Sequence, residues 1–241
     1  MKVIVVENYE ELSKEAFKVM KEVVVSKEVP VLGLATGSSP CGLYKEMIAD
    51  HQENGTSYRN VVTFNLDEYI GLPKNHEQTY YTFMHENLFN GLDILEENVH
   101  LPVGDSSQVE LECEKYEEAM KEVQIDIQLL GIGANGHIGF NEPGTSFDSV
   151  THIVDLKEKT REDNARFFGS LEEVPTKAIT MGIATILRSK KILLVASGEN
   201  KADAIYEMVQ GKVSEDCPAT ALRQHPDVVV IVDVAAAKKL S

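Results

Sequence analysis

Cysteine is scarce in this chain: Cys41, Cys113 and Cys217 are the three thiols among 241 residues. They are odd in number and widely spaced, and no C-x-x-C occurs, so they read as reduced thiols in a cytoplasmic protein rather than a disulfide scaffold. Positive charge is short as well, with 23 Lys and Arg against 39 Asp and Glu and a net charge of −16. A nucleic acid or an anionic membrane would want a basic face, so neither is expected as a partner. A small anionic substrate is not excluded, because fields are screened beyond about 8 Å at physiological salt. Long apolar runs are missing too, and none approaches the roughly 18 residues that span a bilayer. The opening MKVIVVENYEEL has a four-residue apolar part and reads as a short strand leading into a helix, not a signal segment. Repeats, low-complexity tracts and Pro- or Ser-rich linkers are also absent. The expectation is one α/β domain over residues 1–241, long enough to bury a core without staples.

What is present is concentrated between Ile125 and Gly144, IDIQLLGIGANGHIGFNEPG. Ile125, Ile127, Leu129 and Leu130 make an apolar run of strand length. A loop follows with Gly131, Gly133, Gly136, Gly139 and Gly144, and within it stand Asn135, His137 and Glu142. Glycine lets a backbone approach a ligand and take φ > 0 at no steric cost. Proton-handling side chains just past a strand's carboxyl end occupy the usual place of an α/β active site. Gly131, Gly133 and Gly136 also spell the G-x-G-x-x-G dinucleotide fingerprint, with Asp155 downstream. That fingerprint needs a helix to start at its third glycine. His137 to Gly144, with Pro143 inside, cannot hold one. A nicotinamide site is therefore not expected.

Strands are expected at 2–6, 29–35, 60–66, 125–130, 151–156, 191–196 and 228–233. Helices are expected at 9–25, 40–52, 79–88, 107–122, 160–170, 180–187 and from about 199 to 209. Tyr80, Tyr81, Phe83 and Met84 read as mostly core. Ser39 can cap the second helix and Pro40 suits its first turn. The Thr36, Gly37, Ser38, Ser39 loop is then either an anion site at a helix N-terminus or an ordinary well-capped turn. Asp67 ends the third strand and is a candidate general base or a turn former. Arg161 and Arg166 lie on a helix that could clamp a phosphate or present a solvated face. Lys201, in a helix's first turn, opposes the helix dipole unless an anion sits there. The strands are apolar throughout rather than alternating. With the β-α alternation, that calls for an α/β, Rossmann-like, mostly parallel sheet with helices on both faces. Right-handed crossovers then gather the TGSS, LDEY, GANGH and SGENK loops at one carboxyl edge.

LGLATGSSP, FNLDEY, GIGANGHIGFNEPG, NARFF and SGENKA, in this order, resemble the glucosamine-6-phosphate deaminase (amino-sugar isomerase-deaminase) family along nearly the whole chain. The resemblance implies conversion of glucosamine 6-phosphate and water to fructose 6-phosphate and ammonia, without metal or organic cofactor. Asp67 would move the C2 proton to C1, and His137 would open the sugar ring. Glu142 and Asn135 would orient and tune His137. Many relatives carry Asp at position 135, and an amide cannot supply that negative charge. Thr36, Gly37, Ser38 and Ser39, with Arg166 and Lys201, would hold the phosphate. Longer members form hexamers activated by an N-acetylated sugar phosphate and continue past the last strand, so a monomer is expected here. A helical lid is expected around 160–175. Two alternatives share parts of this pattern. A 6-phosphogluconolactonase-like hydrolase needs no C2 base, and a non-catalytic phosphosugar-binding module need not keep Asp67 or His137.

Overall fold

The computed structural model describes residues 1–165 and 168–240, without the side chains of Lys159 and Asp163. Its central sheet is built from β1 (Lys2–Val6), β2 (Val31–Leu34), β3 (Val62–Asn65), β5 (Val99–His100), β6 (Ile127–Leu130), β9 (Lys191–Ala196) and β10 (Val228–Asp233). Every pairing in it is parallel, in the order β1-β10-β9-β6-β2-β3-β5. Strands β2, β6 and β10 are buried at every position, so both faces of the sheet are covered. That is why these segments are apolar runs rather than alternating ones. The helices packed around the sheet are α1 (Tyr9–Val25), α2 (Cys41–Asn54), α3 (Tyr80–Asn87), α4 (Val109–Glu122), α5 (Glu158–Asn164), α6 (Ile183–Leu187) and α7 (Ala202–Gln210). Among the described residues no helix is long and apolar enough to cross a membrane. The three cysteines are free thiols.

Chain order runs outward in opposite directions from the β2–β6 boundary: β2, β3, β5 to one side and β6, β9, β10 to the other. Ligands of open α/β sheets bind at the carboxyl ends of strands beside such a reversal. The loops leaving β2 and β6 there are the TGSS and GIGANGH segments.

A second sheet was not foreseen. Strands β4 (Asp67–Tyr69), β8 (Lys177–Thr180) and β7 (His152–Asp155) form an antiparallel group in the order β4-β8-β7. Leu66 joins the two sheets: its N–H donates to Leu34 O of the parallel sheet and its carbonyl accepts from Met181 N. Asp67 therefore begins a new strand instead of ending the third one. The expected strand 151–156 is found, but in this smaller sheet. The helix expected from Thr180 begins at Ile183, because residues 177–180 are strand.

Other boundaries shift for local reasons. Helix α2 starts at Cys41 with Pro40 in the capping position and no side-chain cap bond, so the expected Ser39 cap is not made. The helix expected over 160–170 spans Glu158–Asn164, and Leu171–Glu173 is a separate single 3-10 turn. Of the four aromatic and Met residues of α3 expected in the core, Met84 is fully buried. Tyr80 and Phe83 are half-buried and line a cavity instead.

Candidate active site

A cavity of about 660 Å³ opens at the carboxyl edge of the parallel sheet. Its wall includes Thr36, Gly37, Ser38 and Ser39 after β2, Asp67 at the start of β4, His137 after β6, and Lys201 before α7. All four polar loops expected at one edge meet there. Arg166 lies outside the described residues.

The β2 loop is held from below. Tyr44 Oη donates to Ala35 O at 2.5 Å, fixing the strand end where the loop begins. Gly37 has φ of +87°, a left-handed conformation that glycine takes without strain. The loop leads into α2, whose first backbone N–H groups have no intrahelical acceptor. Lys201 sits in the 3-10 turn Glu199–Lys201, after Gly198 at φ +96°. Asp233, at the end of β10, anchors that turn by accepting from Ser197 Oγ at 2.5 Å and from Gly198 N at 3.1 Å. A cation beside a helix N-terminus has the chemistry of an anion cradle.

Asp67 is 7% exposed. Burial, reinforced by the neighbouring Glu68 carboxylate, pushes its carboxyl up to about 8. Glu68 faces away from that role. It accepts from Tyr69 N at 2.8 Å and from Tyr80 N and Tyr81 N at 2.9 Å each, so it ties β4 to the first turn of α3. Burial nonetheless lifts Glu68 to about 7, against the pull of those N–H donors.

Glu142 is the opposite case. Burial would raise it, but the nearby His137 together with hydrogen bonds from Thr160 and Asn135 prevails and holds it at about 2. Asn135 Nδ2 donates to Oε2 at 2.7 Å, and Thr160 Oγ1 donates to Oε1 at 2.7 Å. His137 Nδ1 lies 3.5 Å from Oε1, an ion-pair distance but too long for a well-formed hydrogen bond. Asn135 does not touch the imidazole; its Oδ1 accepts the His137 backbone N–H at 3.2 Å. Glu142 lies between the two, hydrogen-bonded to Asn135 and 3.5 Å from Nδ1 of His137. Neither Asn135 nor Glu142 lines the cavity, whereas His137 and Thr160 do.

The glycines of the decoy fingerprint have local reasons. A methyl group on Gly133 would lie 2.3 Å from Cε1 of His137, so that position is kept empty for the imidazole. Gly139, at φ +57°, brings the backbone within reach of Asp67 and Thr180: its added methyl would sit 3.7 Å from Asp67 Oδ2 and 2.9 Å from Thr180 Oγ1. After Gly136 the chain makes turns and a short bridge between Ile138 and Asn141, with no helix to receive a pyrophosphate.

Sequence reasoning missed Thr160, Asn164 and Tyr69. Thr160 and Asn164 bring α5 to the cavity, and Asn164 Nδ2 donates to Tyr69 Oη at 2.8 Å. The one sequence signal near them was the expected lid. Among the described residues no group of three or more His, Cys, Asp or Glu side chains is placed to hold a metal ion.

An open parallel sheet with a helix-terminus anion loop, a buried carboxyl and a carboxylate-backed histidine at one rim has the parts of an α/β enzyme acting on a small anionic substrate. Residues 6–231 match the glucosamine-6-phosphate isomerases/6-phosphogluconolactonase family, and the chain belongs to that family. It is 53% identical to the glucosamine-6-phosphate deaminase of Thermoanaerobacter pseudethanolicus, over 98% of this chain and 94% of that one. With the Clostridium novyi protein of the same name the identity is 52% over 100% of both chains. A solved structure of a monomeric glucosamine-6-phosphate deaminase, 48% identical, superposes with a TM-score of 0.97 over 99% of each chain. The 6-phosphogluconolactonase of Trypanosoma brucei superposes at 0.82 over 100% of this chain and 98% of that one. At 19% identity that likeness speaks for the fold alone.

Proposed function

We propose that this chain converts glucosamine 6-phosphate and water to fructose 6-phosphate and ammonia. The observation that carries this reading is the buried Asp67 carboxyl in one cavity with His137, the Thr36–Ser39 loop and Lys201. Relatives more than half identical over the full chain and bearing the deaminase name support it. A lactonase needs no base for a carbon acid, and a binding module needs neither Asp67 nor His137.

The phosphate rests on the Thr36–Ser39 loop with Lys201 as counter-charge, and Arg166 is assigned to the same group. His137 moves protons between the ring oxygen and the C1 hydroxyl, opening the pyranose to its aldehyde. The ionised Glu142 beside Nδ1 stabilises the imidazolium that forms. In the open chain the C2–H is acidic because the aldehyde can take up the electron pair. Asp67 removes that proton and a C1–C2 double bond forms, giving an enolamine. Asp67 returns the proton to C1, and the nitrogen pair then makes a C=N bond at C2. Water adds at C2, the C–N bond breaks, and ammonia leaves a ketone behind. A base near 8 is matched to proton transfer around neutral pH, and such groups are typically worth about 10²–10⁴-fold. The phosphate is remote from the reacting carbons, so its binding energy holds the open chain in near-attack geometry.

A helical lid around residues 160–175 is proposed, supported by the contacts of Thr160 with Glu142 and of Asn164 with Tyr69. A monomeric, single-domain, cytoplasmic enzyme is proposed, in keeping with the monomeric relative of nearly equal length. A coupled ammonia assay on glucosamine 6-phosphate tests the function. Ammonia formed in step with fructose 6-phosphate supports it. Hydrolysis of a 6-phospholactone without ammonia release would replace it.

A further inference from the structure

Outside every motif of the cavity, the Tyr9 side chain reaches the backbone of the Thr36–Ser39 loop. Tyr9 opens α1, whose start is fixed by Asn8 Oδ1 accepting from Glu11 N at 3.0 Å. Its hydroxyl donates to Ser38 O at 2.8 Å, with Ser39 O at 3.2 Å, and accepts the Gly42 N–H at 2.8 Å. The hydroxyl thus uses both its donor and its acceptor on the loop and the first turn of α2. The two helices meet closely here. A methyl group on Gly42 would lie 1.9 Å from Ser13 Oγ, and Ser13 Oγ itself donates to Tyr9 O at 2.8 Å.

Resting on the phosphate role proposed for this loop, we infer that Tyr9 is a positioning residue that presets the loop for the phosphate group of the substrate. Peptide geometry links the Tyr9 contact to the direction of the loop's donors. In a planar trans peptide the carbonyl of Ser38 and the N–H of Ser39 point in opposite directions. Pinning the Ser38 carbonyl to Tyr9 aims the Ser39 N–H away from Tyr9, in a segment whose Ser38 and Ser39 both line the cavity. Pro40 has no N–H, so the Ser39 carbonyl can be held from behind without misdirecting a donor. Tyr9 also occupies the Gly42 N–H, one of the α2 donors without an intrahelical acceptor, and so ties the helix terminus to the loop from the same side. A preset loop binds without paying the ordering entropy of its peptide planes. The phosphate is remote from C1 and C2, so the effect belongs in substrate binding and not in the chemical steps.

The test is Tyr9→Phe, which keeps the ring and removes the hydroxyl. Ammonia release is measured over a range of glucosamine 6-phosphate, and inorganic phosphate is titrated as a competitive inhibitor of wild type and variant. The expected result is a KM and a phosphate inhibition constant that rise together, by about three- to tenfold, as for losing one or two hydrogen bonds. The kcat is expected to stay within about twofold, because uniform binding energy is lost. A Tm lowered by no more than about 4 °C shows that the fold is kept. An unchanged KM and unchanged phosphate inhibition in a variant of active wild type overturn the role of Tyr9 alone. So does a loss confined to kcat. A wild type that releases ammonia but is not inhibited by phosphate overturns the phosphate role of the loop and the inference with it. A wild type that releases no ammonia overturns the proposed function.

Discussion

Two carboxyl groups serve the same histidine-bearing cavity from different kinds of structure, and they sit at opposite ends of the acidity range. Asp67 stands where the chain leaves the parallel sheet for the antiparallel one; burial and Glu68 push it up to about 8. Glu142 stands in a glycine-rich loop; burial there is outweighed by the nearby His137 and by donors from Thr160 and Asn135, which hold it at about 2. Burial is common to both. What separates them is the supply of hydrogen-bond donors, and pairs pushed apart in this way mark the acid and base assignments of a site. Asp67 is kept able to take and return a proton near neutral pH. Glu142 remains an anion throughout that range.

The comparison breaks first at Glu142. Glu142→Gln removes the charge beside His137 and is expected to lower kcat by about 10²-fold or more, the usual scale for an acid–base group that loses its electrostatic support. An ammonia assay at pH 7 that shows less than a threefold loss would detach Glu142 from the histidine.

The next effect is on stability, and its sign differs between the two groups. Asp67 holds its proton more tightly in the folded chain than in the unfolded one. Its burial therefore costs nothing below about pH 4, costs progressively more as pH rises toward 8, and is constant beyond. Glu142 is the reverse: its stabilisation is full above the unfolded value of 4.5 and disappears as pH falls toward 2. At pH 7 Asp67→Asn is accordingly expected to raise Tm and Glu142→Gln to lower it. Each change is expected at about 1–3 kcal/mol, or roughly 2–4 °C per kcal/mol for a chain of this size. Thermal melts of both variants at pH 7 check the signs. Two shifts of the same sign would contradict the assignment.

The smallest effect is at Asn135. In Asn135→Asp, a carboxylate replaces the amide that donates to Glu142 at 2.7 Å. Two carboxylates at that distance cannot both ionise freely, so one is expected to titrate well above the ordinary range. The expected outcome is a shifted pH–rate profile with kcat changed by less than about tenfold. An identical profile would mean that Asn135 contributes shape alone.

The legible parts of this molecule were those that carry a period or an unusual composition. Residues 191–196 and 228–233 are apolar runs broken only by the terminal Lys191 and Asp233, and the structure has strands at those boundaries. The α1 boundaries, Tyr9 to Val25, also follow from amphipathic spacing. The second sheet was not legible, because β4 and β8 are three and four residues long and too short to show alternation. That error placed Asp67 at the end of a strand instead of at the start of one, without moving it from the cavity. Ser39 as a cap failed for a related reason: a preference for the position says nothing about where the loop turns its side chains. The four loops did converge, since crossover handedness dictates that much. Thr160 on Glu142 and Tyr9 behind the anion loop span 18 and 29 positions, and no local pattern encodes such pairs.

The most direct measurement is the turnover of Asp67→Asn, followed as ammonia released from glucosamine 6-phosphate at pH 7 alongside phosphosugar binding to the same protein. Binding is expected within about threefold of wild type and turnover lower by at least about 10³-fold, because the amide fills the site but cannot carry the C2 proton. Near-normal turnover in a variant that binds the sugar phosphate would contradict it.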